Sequence, residues 1–228
     1  MADFTKVKAE DGHELSAYVA RPDGTAVGAV VVIQEIFGVN AHIRSIADRL
    51  AKQGYVAVAP ALFDRIERGV ELKYEGEDMK HAVELMNKLK PETALMDVAA
   101  AYRLAEESGK GVGVMGFCYG GLMTWLTATR GEKLKMQPSC CVAFYPGGIG
   151  QFAKEEPSCP VMVHFGAEDT HIGKDQVEAV RAAHPEVEVF VYEGAEHGFN
   201  CDARGSYNEK QAKVAWERSL DFLKKHIA

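Results

Sequence analysis

The residues of this chain best suited to covalent chemistry lie in Gly116-Phe117-Cys118-Tyr119-Gly120-Gly121. An apolar run, 111–115, precedes them and a stretch of helical pattern follows. A thiol on a sharp turn between strand and helix is a nucleophile raised above the end of a sheet, with cysteine where serine is more usual. The residues two before and two after it approach neighbouring backbone and must be small; here they are Gly116 and Gly120. The N–H of Tyr119, at the start of the helix, would face a developing oxyanion. Taken alone, the motif also fits a glycine-rich turn around a buried, inert thiol.

Two later segments favour the reactive reading. The apolar run 161–165 leads into Gly166-Ala167-Glu168-Asp169, and the run 189–192 leads into Glu193-Gly194-Ala195-Glu196-His197-Gly198-Phe199. A nucleophile, then an acid after one strand, then a histidine after the next is the order Cys118, Asp169, His197 of a nucleophile–base–acid triad on an open sheet. Each residue has a plainer explanation by itself. Asp169 could cap a helix, Glu168 competes with it, and His197 could be exposed.

These residues need a sheet whose strands end at one edge, and the chain alternates strand and helix patterns accordingly. Two alternating stretches around 4–9 and 15–19, separated by Asp11-Gly12, predict an antiparallel pair at a sheet edge. Continuous or alternating apolar strands are expected at 29–33, 55–59, 111–115, 140–145, 161–165 and 187–192. Helices are expected after Asn40, from about Glu77, after Pro91, after Cys118, over 177–183, and from Ser206 or Asn208 to near the end. The result is an α/β architecture with a mostly parallel sheet of about eight strands and helices on both faces. No repeat or linker divides residues 1–228, so a single domain is expected. The link at 146–160 is too short for a large lid, which leaves the irregular 62–90 stretch to wall the site.

Composition narrows the function. The chain has 228 residues, 47% hydrophobic and 26% charged, an ordinary globular composition. A net charge of −7 argues against nucleic acid as a partner. The N-terminus has no basic head followed by an apolar stretch, and no apolar run is long enough to span a bilayer, so a cytoplasmic protein without membrane association is expected. Cys118, Cys140, Cys141, Cys159 and Cys201 form no CxxC pair and suit free thiols. No phosphate loop or dinucleotide fingerprint is present, so no cofactor is expected.

With these residues in place, the sequence resembles the dienelactone hydrolase family (carboxymethylenebutenolidases and relatives) over essentially its whole length. The resemblance rests on Gln34-Glu35-Ile36-Phe37-Gly38, the Cys118 elbow, the segment ending in Asp169, and Glu196-His197-Gly198-Phe199. It implies an α/β-hydrolase fold. It further implies Cys118 as nucleophile, His197 as base and later proton donor, Asp169 as the group orienting the imidazole, and the N–H groups of Ile36 and Tyr119 as the oxyanion hole. Glu35 would contact the thiol at rest, and a nearby anion disfavours a thiolate; alternatively, Glu35 salt-bridges to an arginine. Phe37, Lys80, Phe199 and Arg204 are the candidates for substrate contacts. The chain departs from the family where an arginine just after the histidine would hold a substrate carboxylate: Gly198, Phe199, Asn200, Cys201 and Asp202 stand there, and arginine returns only at Arg204. Arg65, Lys80 or Arg204 could compensate.

A thiolate attacks readily but is itself a good leaving group. Enol esters, lactones and thioesters therefore suit it better than amides, and the expected partner is a small ester or lactone bound by a monomer or small homo-oligomer. Three other readings remain at this point. They are a metal-dependent hydrolase on His164, Asp169, His171 and His197, a thiol redox protein with Cys201 resolving Cys118, and a binding module on a hydrolase scaffold.

Overall fold

Four strands, β3 (Gly28–Ile33), β5 (Val112–Phe117), β6 (Cys140–Phe144) and β7 (Val161–Gly166), are buried at every position, which requires packed layers on both faces. The computed structural model describes residues 2–227 and supplies those layers. The eight strands run in the order β1-β2-β4-β3-β5-β6-β7-β8, with β1 (Ala2–Lys8), β2 (Glu14–Ala20), β4 (Tyr55–Pro60) and β8 (Glu188–Tyr192) completing the sheet. β1 and β2 are antiparallel and the other six strands are mutually parallel.

Helix α1 (Ala41–Lys52) packs on β2, β3 and β4, and α6 (Glu209–His226) packs on β6 and β7. They share one face, where the Arg49 guanidinium lies 3.8 Å from the Trp216 ring centroid. Helices α3 (Pro91–Glu106) and α4 (Tyr119–Arg130) pack against each other and cover the centre of the other face. Asn40 caps α1 by accepting from the Ile43 N–H, and Asn208 caps α6 by accepting from the Gln211 N–H, which resolves the choice between Ser206 and Asn208. The 62–90 stretch holds a 3-10 turn at Leu62–Arg65 and then α2 (Gly76–Lys88). The 146–160 link holds only a 3-10 turn at Ile149–Phe152, and α5 (Lys174–Ala183) follows β7. Among the described residues no helix is long and apolar enough to cross a membrane.

Strand order reverses between β3 and β5, so their carboxyl ends flank a crevice of the kind in which open α/β sheets bind ligands. The register there is specific: Ile33 is opposite Gly116, so the segments leading to Glu35 and Cys118 leave the sheet side by side. Gly120 makes the approach possible. A Cβ at that position would stand 2.3 Å from the Ile33 carbonyl oxygen and 2.4 Å from that of Gln34. The Gln34 side chain secures the same loop, donating to the Glu35 carbonyl at 3.2 Å and accepting from the Leu62 N–H at 3.1 Å.

Because both obstacles at Gly120 are backbone atoms, no rotamer change can relieve them. Gly120→Ala is expected to cost about 3 kcal/mol or more, the upper range for overpacking, read as a lowered midpoint in urea unfolding.

Candidate active site

Cys118 occupies φ 54°, ψ −115°, a conformation that L-residues rarely adopt and that costs about 1–3 kcal/mol. The surroundings hold it there: its N–H donates to the Phe144 carbonyl at 3.0 Å, and its own carbonyl accepts from the Leu122 N–H at 3.1 Å. Strand β5 runs through Phe117, two residues beyond the apolar run read from sequence, so the turn begins at Cys118 itself. A Cβ on Gly116 would stand 2.1 Å from the Gly120 carbonyl oxygen, so both small residues anticipated around the nucleophile are needed by close backbone contact. Tyr119 is the first residue of α4, and neither its N–H nor that of Ile36 donates to another protein group among the described residues. Both N–H groups are thus free for an oxyanion.

Asp169 and His197 meet at the same edge. His197 Nδ1 lies 2.8 Å from Asp169 Oδ2, and both side chains are at most 9% exposed. The other carboxylate oxygen accepts the N–H groups of His171 at 2.8 Å and Ile172 at 3.1 Å, which fixes its plane. Glu168, the competing acid, is exposed, and the carboxylate bonded to His197 is that of Asp169. Burial alone would push His197 down. Hydrogen bonding to Asp169 and to Cys118, together with their negative charge, outweighs burial and lifts it to about 10. Burial likewise acts to raise Asp169, yet its bonds to His197 and the two backbone N–H groups leave it below the usual carboxylate range. The ring of Tyr145 stands edge-on to His197 at 5.1 Å, that of His171 at 5.0 Å, and Ser206 Oγ donates to the His197 carbonyl at 2.8 Å.

Glu35 is 1% exposed and meets an arginine rather than the thiol. Arg204 Nη1 lies 3.4 Å from its Oε1, and no hydrogen bond joins Glu35 to Cys118. The alternative pairing anticipated for Glu35 is therefore the one observed. Arg204 reaches it across Gly198, where a Cβ would be 2.6 Å from Nη1, and it also lies near the rings of Phe37 and Tyr74. Arg204, His42 and Tyr74 line a cavity of about 650 Å³ that residues 71–75 wall on one side; Cys118, Asp169 and His197 are not among its lining residues.

Three expectations need correction. Phe199 is fully buried among Phe144, Tyr145 and Tyr192 and is core rather than substrate contact. Lys80 is 72% exposed on α2, paired with Glu77, and does not line the cavity. Arg65 is held by Asp97 at 2.6 Å and Asp11 at 2.7 Å, away from the site. The proposed metal set does not converge either, because His164 is buried with its two ring nitrogens on Tyr192 Oη and Ser219 Oγ. Tyr145, Gln34, His42 and Ser206 were not anticipated. Tyr145 has φ 37° despite preceding a proline, and no local pattern signals that.

The model of the dienelactone hydrolase family matches residues 15–227. The chain belongs to the dienelactone hydrolase family. It is 36% identical to a Yersinia pestis protein named "Putative carboxymethylenebutenolidase", over 94% of this chain and 85% of that one. It is 32% identical to the carboxymethylenebutenolidase of Pseudomonas putida, over 98% and 96%. Among solved structures it is similar to a Klebsiella pneumoniae protein described as a "Putative Dienelactone Hydrolase", with a TM-score of 0.83, 34% identity and 97% coverage of both chains. The fold is accordingly an α/β-hydrolase fold, and the protein is a hydrolase of the dienelactone hydrolase kind.

The Asp169–His197 bond has a measurable signature. His197 is expected to titrate near 10 by NMR, and in Asp169→Asn to fall toward the ordinary value of about 6.5. Since the folded value lies above the unfolded one, the pair's contribution to stability is complete below about pH 6.5 and is lost as pH rises through 10. Stability of Asp169→Asn should therefore vary less across that window.

Proposed function

We propose that the protein hydrolyses a small ester or lactone of the carboxymethylenebutenolide type through Cys118, His197 and Asp169. The observation that carries this reading is the buried His197–Asp169 pair beside a thiol held in a strained, helix-capping turn. In the reaction, the sulfur of Cys118, its proton held on His197 Nε2, attacks the carbonyl carbon. The carbonyl oxygen takes the negative charge and is met by the Ile36 and Tyr119 N–H groups. Collapse breaks the C–O bond. His197 returns its proton to the departing enol or alcohol oxygen, leaving a thioacyl-enzyme. Water then attacks the thioester carbon, His197 removes its proton, and sulfur leaves as the acid is released. Asp169 keeps the imidazole in the tautomer that presents Nε2 and offsets its charge.

The reading takes residues 1–228 as one domain with one such site. Arg204 is the residue assigned to a substrate carboxylate. It is 15% exposed, faces the cavity, and pairs with Glu35 at only 3.4 Å, which leaves guanidinium N–H groups for a bidentate acid. This would replace the arginine missing directly after His197.

Cys118→Ala should lower turnover of an aryl ester, a thioester and a carboxylated enol-lactone by at least about 10³-fold; equal turnover by both proteins would sink the proposal. Arg204→Met should raise KM for the carboxylated lactone by about 10-fold or more, the loss expected for a charged hydrogen bond, while KM for a neutral aryl ester changes little. A parallel rise for both substrates would place Arg204 in support of Glu35 alone.

A further inference from the structure

Beside the catalytic groups lies a second set of donors that the hydrolytic reaction does not use. Glu35 from the loop after β3, His42 from the first turn of α1, and Cys201 from the loop after His197 are all buried, at 1%, 5% and 0% exposure. One ligand atom from each lies within 4.8 Å of the others. Their polar atoms are unusually bare: Glu35 Oε2 and both ring nitrogens of His42 have no hydrogen-bond partner. Buried polar atoms are ordinarily satisfied, so an unpartnered carboxylate oxygen and an unpartnered imidazole nitrogen meeting beside a buried thiol call for a missing partner.

We propose that Glu35, His42 and Cys201 form a binding site for a thiophilic divalent cation, Zn²⁺ being the best fit, adjacent to the catalytic thiol and distinct from it. The donor set is one thiolate, one imidazole and one carboxylate, the mixture that suits zinc and excludes magnesium or calcium. Donors around a tetrahedral zinc stand roughly 3.5 Å apart, so small side-chain rotations close the observed spacing. Three protein ligands leave a fourth position for water or a small anion. His42 lines the 650 Å³ cavity, which provides an entry path. Asp202 Oδ1 stands 3.5 Å from His42 Nδ1, where a ligating imidazole commonly has a supporting carboxylate.

The surrounding charge fits as well. Arg204 occupies Oε1 of Glu35 and leaves Oε2 bare for the cation. Cys201 is a free, fully buried thiol, and it gives up its S–H proton on ligating a cation. Coordination exchanges that proton for the S–Zn bond and releases it to solvent, with no change of oxidation state. Cys201 is thereby assigned to cation binding rather than to resolving an oxidised Cys118.

The test is Zn²⁺ titration by calorimetry on Cys118→Ser, so that the catalytic thiol cannot contribute, with Co²⁺ absorption as a second readout. One equivalent should bind, with proton release and a thiolate-to-cobalt charge-transfer band. Adding Cys201→Ser or His42→Gln should weaken binding by at least about 10-fold, and Cys201→Ser should abolish the band. If the Cys201 variant does not fold, the His42 variant decides. The proposal is overturned if Cys118→Ser does not bind Zn²⁺, which would place any wild-type binding on the catalytic thiol, or if both added substitutions leave affinity unchanged. These are binding measurements, so their failure is separable from a failure of Cys118→Ala to lose hydrolysis.

Discussion

The site depends on one close approach of backbone to backbone. Where α4 begins, Gly116, Gly120 and the carbonyls of Ile33 and Gln34 pack with no space for a side chain. This contact drives the chain through the left-handed turn at Cys118 and brings the exit of β3 against the start of α4. The thiol and both candidate oxyanion donors follow from the same contact, since Ile36 lies on one backbone segment and Tyr119 on the other. The strain at Cys118 is held by hydrogen bonds with β6 and α4, so the rigidity of the sheet fixes where the thiol stands.

Around that turn the structure buries several ionisable groups and pairs most of them. Asp169 is held by two backbone N–H groups before it meets His197, so the acid is oriented independently of the base it supports. Glu35 meets Arg204, and Arg204 needs the absence of a side chain at Gly198 to reach it. The arginine thus sits between the His197 loop and the β3 exit loop and lines the cavity. Arg65 shows the other use of such pairing. It binds the buried Asp97 and the exposed Asp11 and does not line the cavity, and this is why an arginine count could not identify the one that does.

His42, Tyr145 and Cys201 gather at this edge from elements far apart in sequence. The reaction does not consume their polar atoms, and Glu35 belongs to both the catalytic neighbourhood and the donor cluster. A carboxylate shared between an arginine and the proposed cation site would let a bound cation change the electrostatics beside Cys118.

The amino-acid sequence by itself determined the sheet, the helix order and the positions of Cys118, Asp169 and His197, because these are written in local pattern. Apolar strands, capping residues and the glycines of a sharp turn act within a few residues of themselves, and parallel strands must deliver the loops that follow them to one edge. Tertiary structure alone decided who pairs with whom. Glu168 and Asp169 are alike in sequence, and only burial and the His171 and Ile172 N–H groups select the second. Phe199 follows His197 closely, yet its ring turns into the core. Glu35 and Arg204 are separated by 169 positions, and no local pattern encodes their meeting. The physical reason is that a side chain's partner depends on which rotamer the packed neighbours leave open and how much water they exclude, and both are properties of the assembled chain.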